Sequence, residues 1–421
     1  MAVRGDTVAW LGSDEVARTQ FPDATVVDLG GAFVAPAFVD SHVHVTSTGL
    51  LLSGLDLRAA TSAAHCLQLL ADFARSRPEA MVWGHGWDDS AWPVPGAPST
   101  AEIDAAVGGR PAYLSRIDVH SALASTALRR RAHGLAKADG YHPDGPLRAA
   151  AHHLVRDEAR VLLTDSQRAE ARTAALDAFA AAGVVAVHEC AGPHIGGLED
   201  WQQLRATRHG VEVFGYWGEA VSSPDHARKL LEDTGAHGLA GDLFVDGALG
   251  SRTAWLSEPY ADADHCGRCY LDADTVTAHL RSCTQAGVTA GFHVIGDAAV
   301  GAVVDALEQV VEELGVPAVA RCGHRLEHLE MVDATQARKL GAWGVIGSVQ
   351  PHFDALWGGD DAMYARRLGR DRASGLNPFA LLAAAGVPLA FGSDSPVTAI
   401  DPWSTVRAAT AHHTSGASIS A

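Results

Sequence analysis

Cysteine is scarce in this sequence, and long apolar runs are missing from it. Only 6 of 421 residues are cysteine, too few for the disulfide framework of a secreted scaffold. Cys266 and Cys269 form a lone CxxC pair, which favours a loop with free thiols over a metal or redox site. The segment MAVRGDTVAWLG lacks the apolar run of a signal peptide, and no later stretch reaches the length of a membrane span. We therefore expect a cytoplasmic protein that does not enter membranes.

Positive charge is also in short supply. The 32 Lys and Arg residues stand against 50 Asp and Glu residues, which gives a net charge of −18. This negative excess disfavours binding to nucleic acid and to anionic membranes. Hydrophobic residues make up 47% and charged residues 19%, an ordinary globular balance that argues against disorder. We expect a globular protein that binds neither nucleic acid nor membranes, and a homo-oligomer is compatible with this composition.

Short apolar runs alternate with alanine-rich stretches along most of the chain. This alternation is typical of βα units with parallel strands. Gly183 follows the helical stretch 167–183 where a helix is expected to end, and a second helix is predicted over 297–314. Eight runs are predicted as strands, which makes a closed α/β barrel of the (β/α)8 type the simplest fold. They cover residues 37–44, 184–189, 211–217, 242–247, 289–296, 324–329, 343–350 and 388–394.

The spacing of these units predicts three regions. Residues 36–49 and 165–421 form the barrel, and residues 50–164 interrupt it after the first strand. We interpret the insertion as a cap over the carboxyl ends of the strands, where a barrel keeps its active site; a peripheral decoration is the alternative. Residues 1–35 contain two hairpin-like strands, TVAWLG and TVVDLGGAFV, and are predicted to form part of a small β-sandwich beside the barrel.

A pair of histidines ends the first predicted strand. In Asp40-Ser41-His42-Val43-His44 the two imidazoles are two residues apart, so they project to the same side of a strand. His293, His328 and Asp394 each fall near the carboxyl end of another predicted strand. All five side chains can therefore meet at the mouth of the barrel, where histidine and aspartate suit a divalent metal. A buried cluster of this kind needs partners, which core packing alone does not provide.

Eight segments along the chain resemble one known group of proteins. The sequence is similar to the amidohydrolase superfamily, in its branch of YtcJ-like and N-substituted formamide deformylase-like proteins. The resemblance covers nearly the whole chain and implies a hydrolytic metal centre, a cap after the first strand and a flanking β-sandwich. It rests on VAPAFVDSHVH, GHGWDDSAW, RIDVHSALAS, VDGALGSRTAWLSEPY, FHVIGDAAV, RLEHLE, SVQPH and FGSDSPV.

The resemblance also implies roles for the five candidate metal-site residues. His42 and His44 match the metal ligands of the first strand, and His293 and His328 match those of strands five and six. Asp394 matches an aspartate that both contacts the metal and moves protons, so it is the candidate catalytic residue. Such a metal lowers the pKa of a bound water and polarises a carbonyl. Histidine-rich ligation favours zinc, and it also suits iron, manganese or cobalt.

Two departures from the family pattern bear on the site. Many members carry on strand four a lysine that is carboxylated and bridges two metals, whereas Asp242 stands at that position here. Because aspartate is too short to reach as such a lysine does, we expect a single ion; Glu189 is an alternative bridging carboxylate. The chain also ends at Ala421, whereas these proteins usually continue into further sandwich strands, so residues 1–35 are expected to lack partners.

Six further residues are candidates for substrate binding. Asp246 and Arg252 could orient a substrate through charged hydrogen bonds, or form a structural salt bridge. Trp87 and Asp88 could line a pocket, although a core position is equally consistent with the tryptophan. The last two candidates are His120, which resembles a position facing the site from the cap, and His352, which follows strand seven. The pairs His152–His153 and His412–His413 are predicted to lie on solvated helix faces.

These features predict a metal-dependent hydrolase. The leading hypothesis is cleavage of a C–N bond in an amide, formamide or N-acyl group of a small organic molecule. A deaminase, or an ester or lactone hydrolase, would use the same site. A catalytically silent, truncated homologue is the remaining alternative, although the presence of all five candidate metal-site residues argues against it.

Overall fold

The computed structural model describes residues 1–78 and 81–411. The chain divides into two compact units, Met1–Ala37 and Phe38–Ala421. Strands and helices are numbered below in chain order. The strands are β1 Ala2–Arg4, β2 Thr7–Trp10, β3 Phe38–Val43, β4 Leu55–Asp56, β5 Val82–Trp87, β6 Ala112–Arg116, β7 Ser121–Ala124, β8 Leu147–Arg148, β9 Val184–Ala191, β10 Glu212–Trp217, β11 Gly238–Leu239, β12 Thr289–Val294, β13 Arg325–His328, β14 Ile346–Val349 and β15 Leu389–Phe391.

The helices are mostly short and several are capped by side chains. For example, Thr164 and Gln167 form a capping box at the start of the seventh helix. The helices are α1 Asp14–Gln20, α2 Val45–Ser53, α3 Ala63–Ser76, α4 Thr100–Val107, α5 Thr126–Arg129, α6 Ala149–Val161, α7 Asp165–Ala181, α8 Gly197–Ala206, α9 Pro224–Thr234, α10 Ala273–Ala286, α11 Asp297–Leu314, α12 Val316–Cys322, α13 Ala334–Ala342, α14 Pro351–Trp357, α15 Met363–Leu368, α16 Arg370–Ala373, α17 Phe379–Ala384 and α18 Pro402–Thr410, with 3-10 turns at Asp89–Ala91 and Leu135–Lys137.

The first unit is a hairpin followed by a helix. Strands β1 and β2 pair antiparallel, and the Ser13 hydroxyl accepts a hydrogen bond from the Val16 amide at the start of α1. The strand predicted over 25–34 is wrong, since this segment is irregular throughout. Its apolar side chains lie in solvent, with Val27 74% and Phe33 80% exposed, so they gain nothing from the alternating pattern that predicted a strand. The predicted partial β-sandwich over 1–35 is therefore reduced to one hairpin.

The second unit contains an eight-stranded parallel sheet in the order β15-β14-β13-β12-β11-β10-β9-β3. The two edge strands approach each other through a parallel bridge between Val43 and Ser395. There the His44 amide donates to the Ser395 carbonyl at 2.9 Å, and the Asp394 amide donates to the His42 carbonyl at 2.8 Å. The sheet is therefore a nearly closed barrel, as the alternating sequence pattern predicts.

Helices surround this barrel and bury its outer face. Helix α11 has the bounds predicted for it, and α7 ends before Gly183, whose φ of +81° suits glycine after a helix. Phe179 of α7, Phe292 of β12 and several valines of α11 are fully buried in one core. Each such side chain contributes roughly 1.5–3 kcal/mol relative to exposure to water.

The fourth strand lies elsewhere than predicted. It is the short β11, which pairs with β10 and β12, and not the segment 242–247. Gly241, with a φ of +78°, turns the chain after β11, and only Phe244 makes an isolated bridge, to His293. The Asp246 carboxylate accepts the amides of Trp255, Ile295 and Gly296, which holds 242–247 as a loop at the carboxyl end of the barrel.

The segment between α2 and α7, here called the inserted segment, builds its own sheet. Its five strands run in the order β4-β5-β6-β7-β8, with β4, β5 and β6 parallel and the last pairs antiparallel. The domain boundaries 36–49, 50–164 and 165–421 stay a prediction. Across the described ranges, every helix is too short or too polar to cross a membrane. All six cysteines are free thiols, with Cys66, Cys190, Cys283 and Cys322 buried.

Candidate metal centre

The two histidines of β3 face the carboxyl end of the barrel together. His42 lies in the strand and His44 follows it, so both rings project to one side, with centroids 5.3 Å apart. Asp394 follows β15 on the adjoining edge, with Oδ1 3.5 Å from His42 Nε2 and 3.3 Å from His44 Nε2. All three side chains are buried.

Two further histidines complete the predicted cluster. His293 of β12 and His328, the last residue of β13, have ring centroids 4.4 Å apart, and the His328 ring lies 5.0 Å from that of His42. His328 and Asp394 have φ of +73° and +53°, a backbone region that residues other than glycine adopt rarely. Such strain is concentrated at functional sites. The structure thus brings all five predicted residues together; their role as ligands stays a prediction.

A sixth residue, Asp242, lies between them. Its Oδ1 is 3.5 Å from both His42 Nε2 and His293 Nδ1, and its Oδ2 is 3.2 Å from His44 Nε2. The Asp242 carboxylate therefore lies within the cluster although the side chain is shorter than the family lysine, and the expectation of a single ion stays a prediction. The loop after β11 brings its backbone inward, so close to Gly218 that a Cβ there would lie 2.7 Å from the Asp242 carbonyl carbon. The sequence signal for it was an acidic residue in place of the family lysine.

The atoms that face the centre of this cluster fit a divalent metal. Buried ring nitrogens and carboxylate oxygens point inward without a hydrogen-bond partner among the described residues: Nε2 of His42 and His328, Nδ1 of His293, and Oδ1 of Asp242 and Asp394. Unpaired buried donors and acceptors are costly unless something binds them. Among the described residues, three overlapping groups have donor atoms within 4.8 Å of one another. They are His42, His44 and Asp394; His42, Asp242 and His328; and His42, Cys190 and Glu327, of which the first two lie in this cluster.

In three of the histidine rings, the nitrogen that faces away from the centre of the cluster forms a hydrogen bond with the protein. His42 Nδ1 donates to Glu327 Oε2 at 2.8 Å, and His328 Nδ1 donates to Gln350 Oε1 at 2.7 Å. His293 Nε2 donates to the Gly247 carbonyl at 3.3 Å. These bonds fix each tautomer and leave the inward nitrogen with a free lone pair, as ligating histidines require.

Glu327 is itself charged and fixed. Arg325 donates to both of its oxygens, at 2.6 and 2.9 Å. Burial acts to raise the pKa of Glu327, but the Arg325 charge and the bond from His42 outweigh burial and hold the pKa well below its usual range. His42 therefore donates its hydrogen bond to an ionised carboxylate, which makes the imidazole a stronger metal ligand.

Carboxylates and imidazoles in the cluster shift each other's pKa. Burial acts to lower the pKa of His44, yet Asp242 and Asp394 hold it well above its usual value. Burial likewise opposes the ionisation of Asp242, but His42, His293 and His44 bring its pKa well below the ordinary value. The neighbouring imidazoles thus favour the charged form of the Asp242 carboxylate, the form that binds cations.

A cavity, here called the main cavity, opens beside the cluster, and its lining surrounds about 700 Å³ of empty space, which includes open solvent. The barrel contributes metal-site residues to its wall, and the inserted segment contributes the opposite side. Its lining includes His44, Asp242, His293, Asp394, His85, Tyr113, Ser115, His120, His153, Arg156 and Arg160. A second cavity of about 380 Å³, here called the apolar cavity, shares His120, His293 and Asp394 with the first. The rest of its lining includes Ile295, Phe353, Trp357, Met363 and Val397.

Of the six predicted substrate-binding residues, only His120 lines these cavities. Its ring centroid lies 5.0 Å from that of His293. Burial, followed by the His293 charge, lowers the pKa of His120 to about 3, so the ring is neutral at physiological pH. It stands where a substrate would contact both the metal site and the inserted segment.

The other five candidates lie outside the cavity linings and have partners in the protein. Asp246 holds the backbone described above, and Arg252 pairs with Asp262 at 2.8 Å. Trp87 is buried in the core of the inserted sheet, where its Nε1 donates to the Leu114 carbonyl at 2.9 Å. Asp88 pairs with Arg116. His352 packs beside Thr398, with Nδ1 3.4 Å from the hydroxyl oxygen. Each side chain has at least one polar partner within the protein, which the local sequence does not reveal.

Several residues of α6 were missed. His152 is buried with Nε2 2.9 Å from the Tyr113 hydroxyl, and His153 lines the main cavity, so the predicted solvated face is wrong for both. The companion pair His412–His413 lies outside the described residues. Arg156 and Arg160 follow on the same helix and also line the main cavity. The available signal was the amphipathic spacing of the helix, which places residues four apart on one face.

Glu189, the alternative bridging residue, has Oε2 accepting the Val45 amide at 2.7 Å.

Comparison with known proteins agrees with this geometry. The profile of the amidohydrolase family matches residues 25–419. The protein YtcJ of Bacillus subtilis is 27% identical over 97% of this chain and 79% of its own length. The N-substituted formamide deformylase of Arthrobacter pascens is 24% identical over 98% of this chain and 80% of its own length. An uncharacterised metal-dependent hydrolase of Pyrococcus horikoshii is similar in structure, with a TM-score of 0.70, 27% identity, and coverage of 95% of this chain and 80% of that one.

Proposed function

The chain belongs to the amidohydrolase family, and from this premise we propose that it hydrolyses a carbon–nitrogen bond of a small organic molecule. The family and its structural neighbour support a metal-dependent hydrolase. The finer assignment to an amide, formamide or N-acyl bond is our proposal, and the similarity to a formamide deformylase supports it. The observation that carries it is the ring of inward-facing, unpaired donor atoms beside a cavity large enough for a small substrate.

Six residues would hold the metal. We propose that His42, His44 and Asp394 would hold one ion and that His293 and His328 would contribute to holding a second, with the Asp242 carboxylate within reach of both sets. The expectation of one ion depended on Asp242 being out of reach, and its carboxylate lies beside ligands of both groups. Zinc is the proposed metal, because the donors are mainly imidazole. Bound there, it supplies a Lewis acid for the substrate carbonyl and lowers the pKa of water.

The remaining chemistry belongs to this chain's own side chains. Asp394 reaches the main cavity and can take a proton from the attacking water, then deliver it to the leaving nitrogen. The neutral ring of His120 offers one N–H to the substrate carbonyl from the side opposite the barrel. The inserted segment closes the cavity on that side and so acts as a cap. A reducing, cytoplasmic location and a homo-oligomeric state stay predictions.

Elemental analysis of purified protein tests this assignment. We expect two equivalents of metal in the wild type and a lower content in Asp242→Asn, since the amide is a weaker ligand than a carboxylate. Asp233→Asn is the matched control, because Asp233 is half exposed and pairs with Lys229 on a surface helix. Turnover of formamides and N-acyl amines, compared with matched esters and amino-heterocycles, then assigns the bond.

One equivalent in both the wild type and Asp242→Asn would refute the shared position of Asp242 but leave the hydrolase intact. Faster turnover of esters or ring amines than of amides would move the assignment to an ester hydrolase or a deaminase. Folded protein that binds no zinc, manganese, iron or cobalt would refute the hydrolase and favour a silent homologue.

A further inference from the structure

Two arginines of the inserted segment line the main cavity opposite the metal site. Arg156 and Arg160 are four residues apart on α6, so they lie on one face of the helix. Both contribute to the lining of the cavity that also contains His44, Asp242 and Asp394. Because the two arginines line the same cavity as the candidate metal ligands, a substrate bound at the proposed metal site would lie within their reach.

Arg156 differs from every other buried arginine in the described parts of the chain. Four of them pair with carboxylates: Arg116 with Asp118, Arg172 with Asp200, Arg325 with Glu327 and Arg367 with Asp262. Arg156, only 7% exposed, has no carboxylate oxygen within 4.0 Å among the described residues. Its guanidinium donates to the His194 carbonyl, and its Nε has no hydrogen-bond partner there.

Arg160 adds a second positive charge with little compensation. Its Nη1 donates to the same His194 carbonyl at 3.0 Å. Among the described residues the carboxylate within 4.0 Å is Asp157, which is half exposed and 3.5 Å away, and Asp200 acts on the guanidinium from a greater distance. Burial, followed by the Arg156 charge, lowers the pKa of Arg160 to about 10. Burial and the same Arg156 charge lower the pKa of His153 to about 2, so this neighbouring ring stays neutral. A buried, uncompensated positive charge is costly unless an anion binds it.

We propose that Arg156 and Arg160 bind a carboxylate of the substrate. This inference rests on the proposed function, since it names the substrate class of the same site. A guanidinium presents two parallel N–H donors that match the two oxygens of a carboxylate. The Arg156 Nε supplies one such donor without a competing partner in the protein.

The apolar cavity on the other side completes the substrate description. Ile295, Phe353 and Trp357 form much of its wall, and it meets the main cavity at His120, His293 and Asp394. A substrate that spans both cavities carries a carboxylate at one end and an apolar group at the other, with its scissile amide at the shared residues. An N-acyl amino acid has this arrangement.

A matched pair of substrates tests the proposal: an N-acyl amino acid with an apolar acyl chain, and the same compound with a carboxamide in place of the carboxylate. The wild type should prefer the acid in kcat/KM by about 10- to 100-fold, the value of a buried charge-assisted hydrogen bond, and mainly through KM. Arg156→Gln should remove most of this preference, and Arg160→Gln a smaller part. Arg156→Lys should keep part of it, since lysine retains the charge and loses the planar fork.

Arg131→Gln is the matched control, because it removes the same charge from an exposed position in the inserted segment. It should leave the acid-to-amide preference at the wild-type value. Equal preference in Arg156→Gln and the wild type, with both proteins folded and metal-loaded, would overturn the proposal. A wild type that favours the neutral amide would overturn it as well.

A binding measurement separates this proposal from the proposed function. Hexanoate should bind the metal-loaded wild type in titration calorimetry, and at least tenfold more weakly to Arg156→Gln than to Arg131→Gln. If no amide is turned over but this difference is found, the proposed C–N hydrolysis fails and the carboxylate site stands. If amides are turned over and hexanoate binds all variants equally, the carboxylate site fails alone.

Discussion

The rings of His42, His44 and His293, on the barrel side, have carboxylate oxygens within 3.5 Å, whereas the rings of His85, His120 and His153 in the inserted segment have none within 4.0 Å among the described residues. The pKa of the first three is raised although burial acts to lower it, because Asp394 and Asp242 lie beside His42 and His44, and Asp242 lies beside His293. Burial lowers the pKa of the second three, to about 4, 3 and 2 in chain order. Burial acts in the same direction on all six rings, so the neighbouring carboxylates decide whether the pKa is raised or lowered.

His328 is the exception on the barrel side. Its Nδ1 is bonded to the neutral Gln350 amide and not to a carboxylate, and burial, then His293 and His42, lower its pKa well below the usual value. The barrel wall thus carries Asp242 and Asp394, as the proposed metal site requires, and the wall from the inserted segment carries Arg156 and Arg160, as the proposed carboxylate site requires.

Removing the Asp394 carboxylate, which lines both cavities, should have the largest effect. Asp394→Asn keeps the size of the side chain but cannot accept or deliver the proton. We expect kcat to fall by about 10²- to 10⁴-fold, the range for loss of a general acid–base group. Steady-state kinetics on metal-loaded protein measures it. A kcat within tenfold of the wild type would assign proton transfer to another residue.

The support behind His42 should have a smaller effect. Glu327→Gln removes the charge that faces His42 Nδ1 and Arg325. We expect metal affinity to fall by about 10- to 100-fold, as for other outer carboxylates of ligating histidines. Competition with a zinc chelator measures the affinity, and Glu308→Gln, at a surface pair with Lys339, is the control. Unchanged affinity would show that the Glu327 carboxylate does not tune the ligand.

The smallest effect is expected from His279, a neutral histidine away from the site, which should make the free energy of unfolding depend on pH. His279 is buried and neutral, because Nδ1 accepts the Val221 amide at 3.2 Å and Nε2 donates to the Leu239 carbonyl at 3.0 Å. Burial lowers its pKa from 6.5 to about 4. Between these values the unfolded chain binds the proton more readily, so its contribution to stability is present above pH 6.5 and is lost as pH falls toward 4.

The expected loss is about 1.4 kcal/mol per pH unit in that window for this one group. Urea unfolding of the wild type and of His279→Gln at pH 7, 6, 5 and 4.5 measures it. The variant should have a lower free energy of unfolding at pH 7. Between pH 6.5 and 4 its free energy of unfolding should fall less steeply than that of the wild type, by about 1.4 kcal/mol per pH unit. Parallel profiles would mean that His279 does not titrate in the unfolding transition.

Most of the barrel could be predicted from the sequence, and the exceptions have physical reasons. Runs of apolar residues mark buried parallel strands, so seven of the eight predicted strands coincide with observed ones. The fourth failed because β11 has only the two residues Gly238–Leu239, while the more apolar run after it is held as a loop by Asp246. The strand predicted over 25–34 failed because alternation does not itself provide a pairing partner.

For the candidate site, residues at strand ends could be predicted and residues on other elements could not. His42, His44, His293, His328 and Asp394 follow strands whose carboxyl ends must meet in a barrel, so the sequence by itself determined their meeting. The position of Asp242 depends on the path of the loop after β11, and the position of Arg156 depends on which face of α6 is turned toward the main cavity. Only the tertiary structure decided these two, because loop conformation and helix orientation are set by contacts distant in the chain.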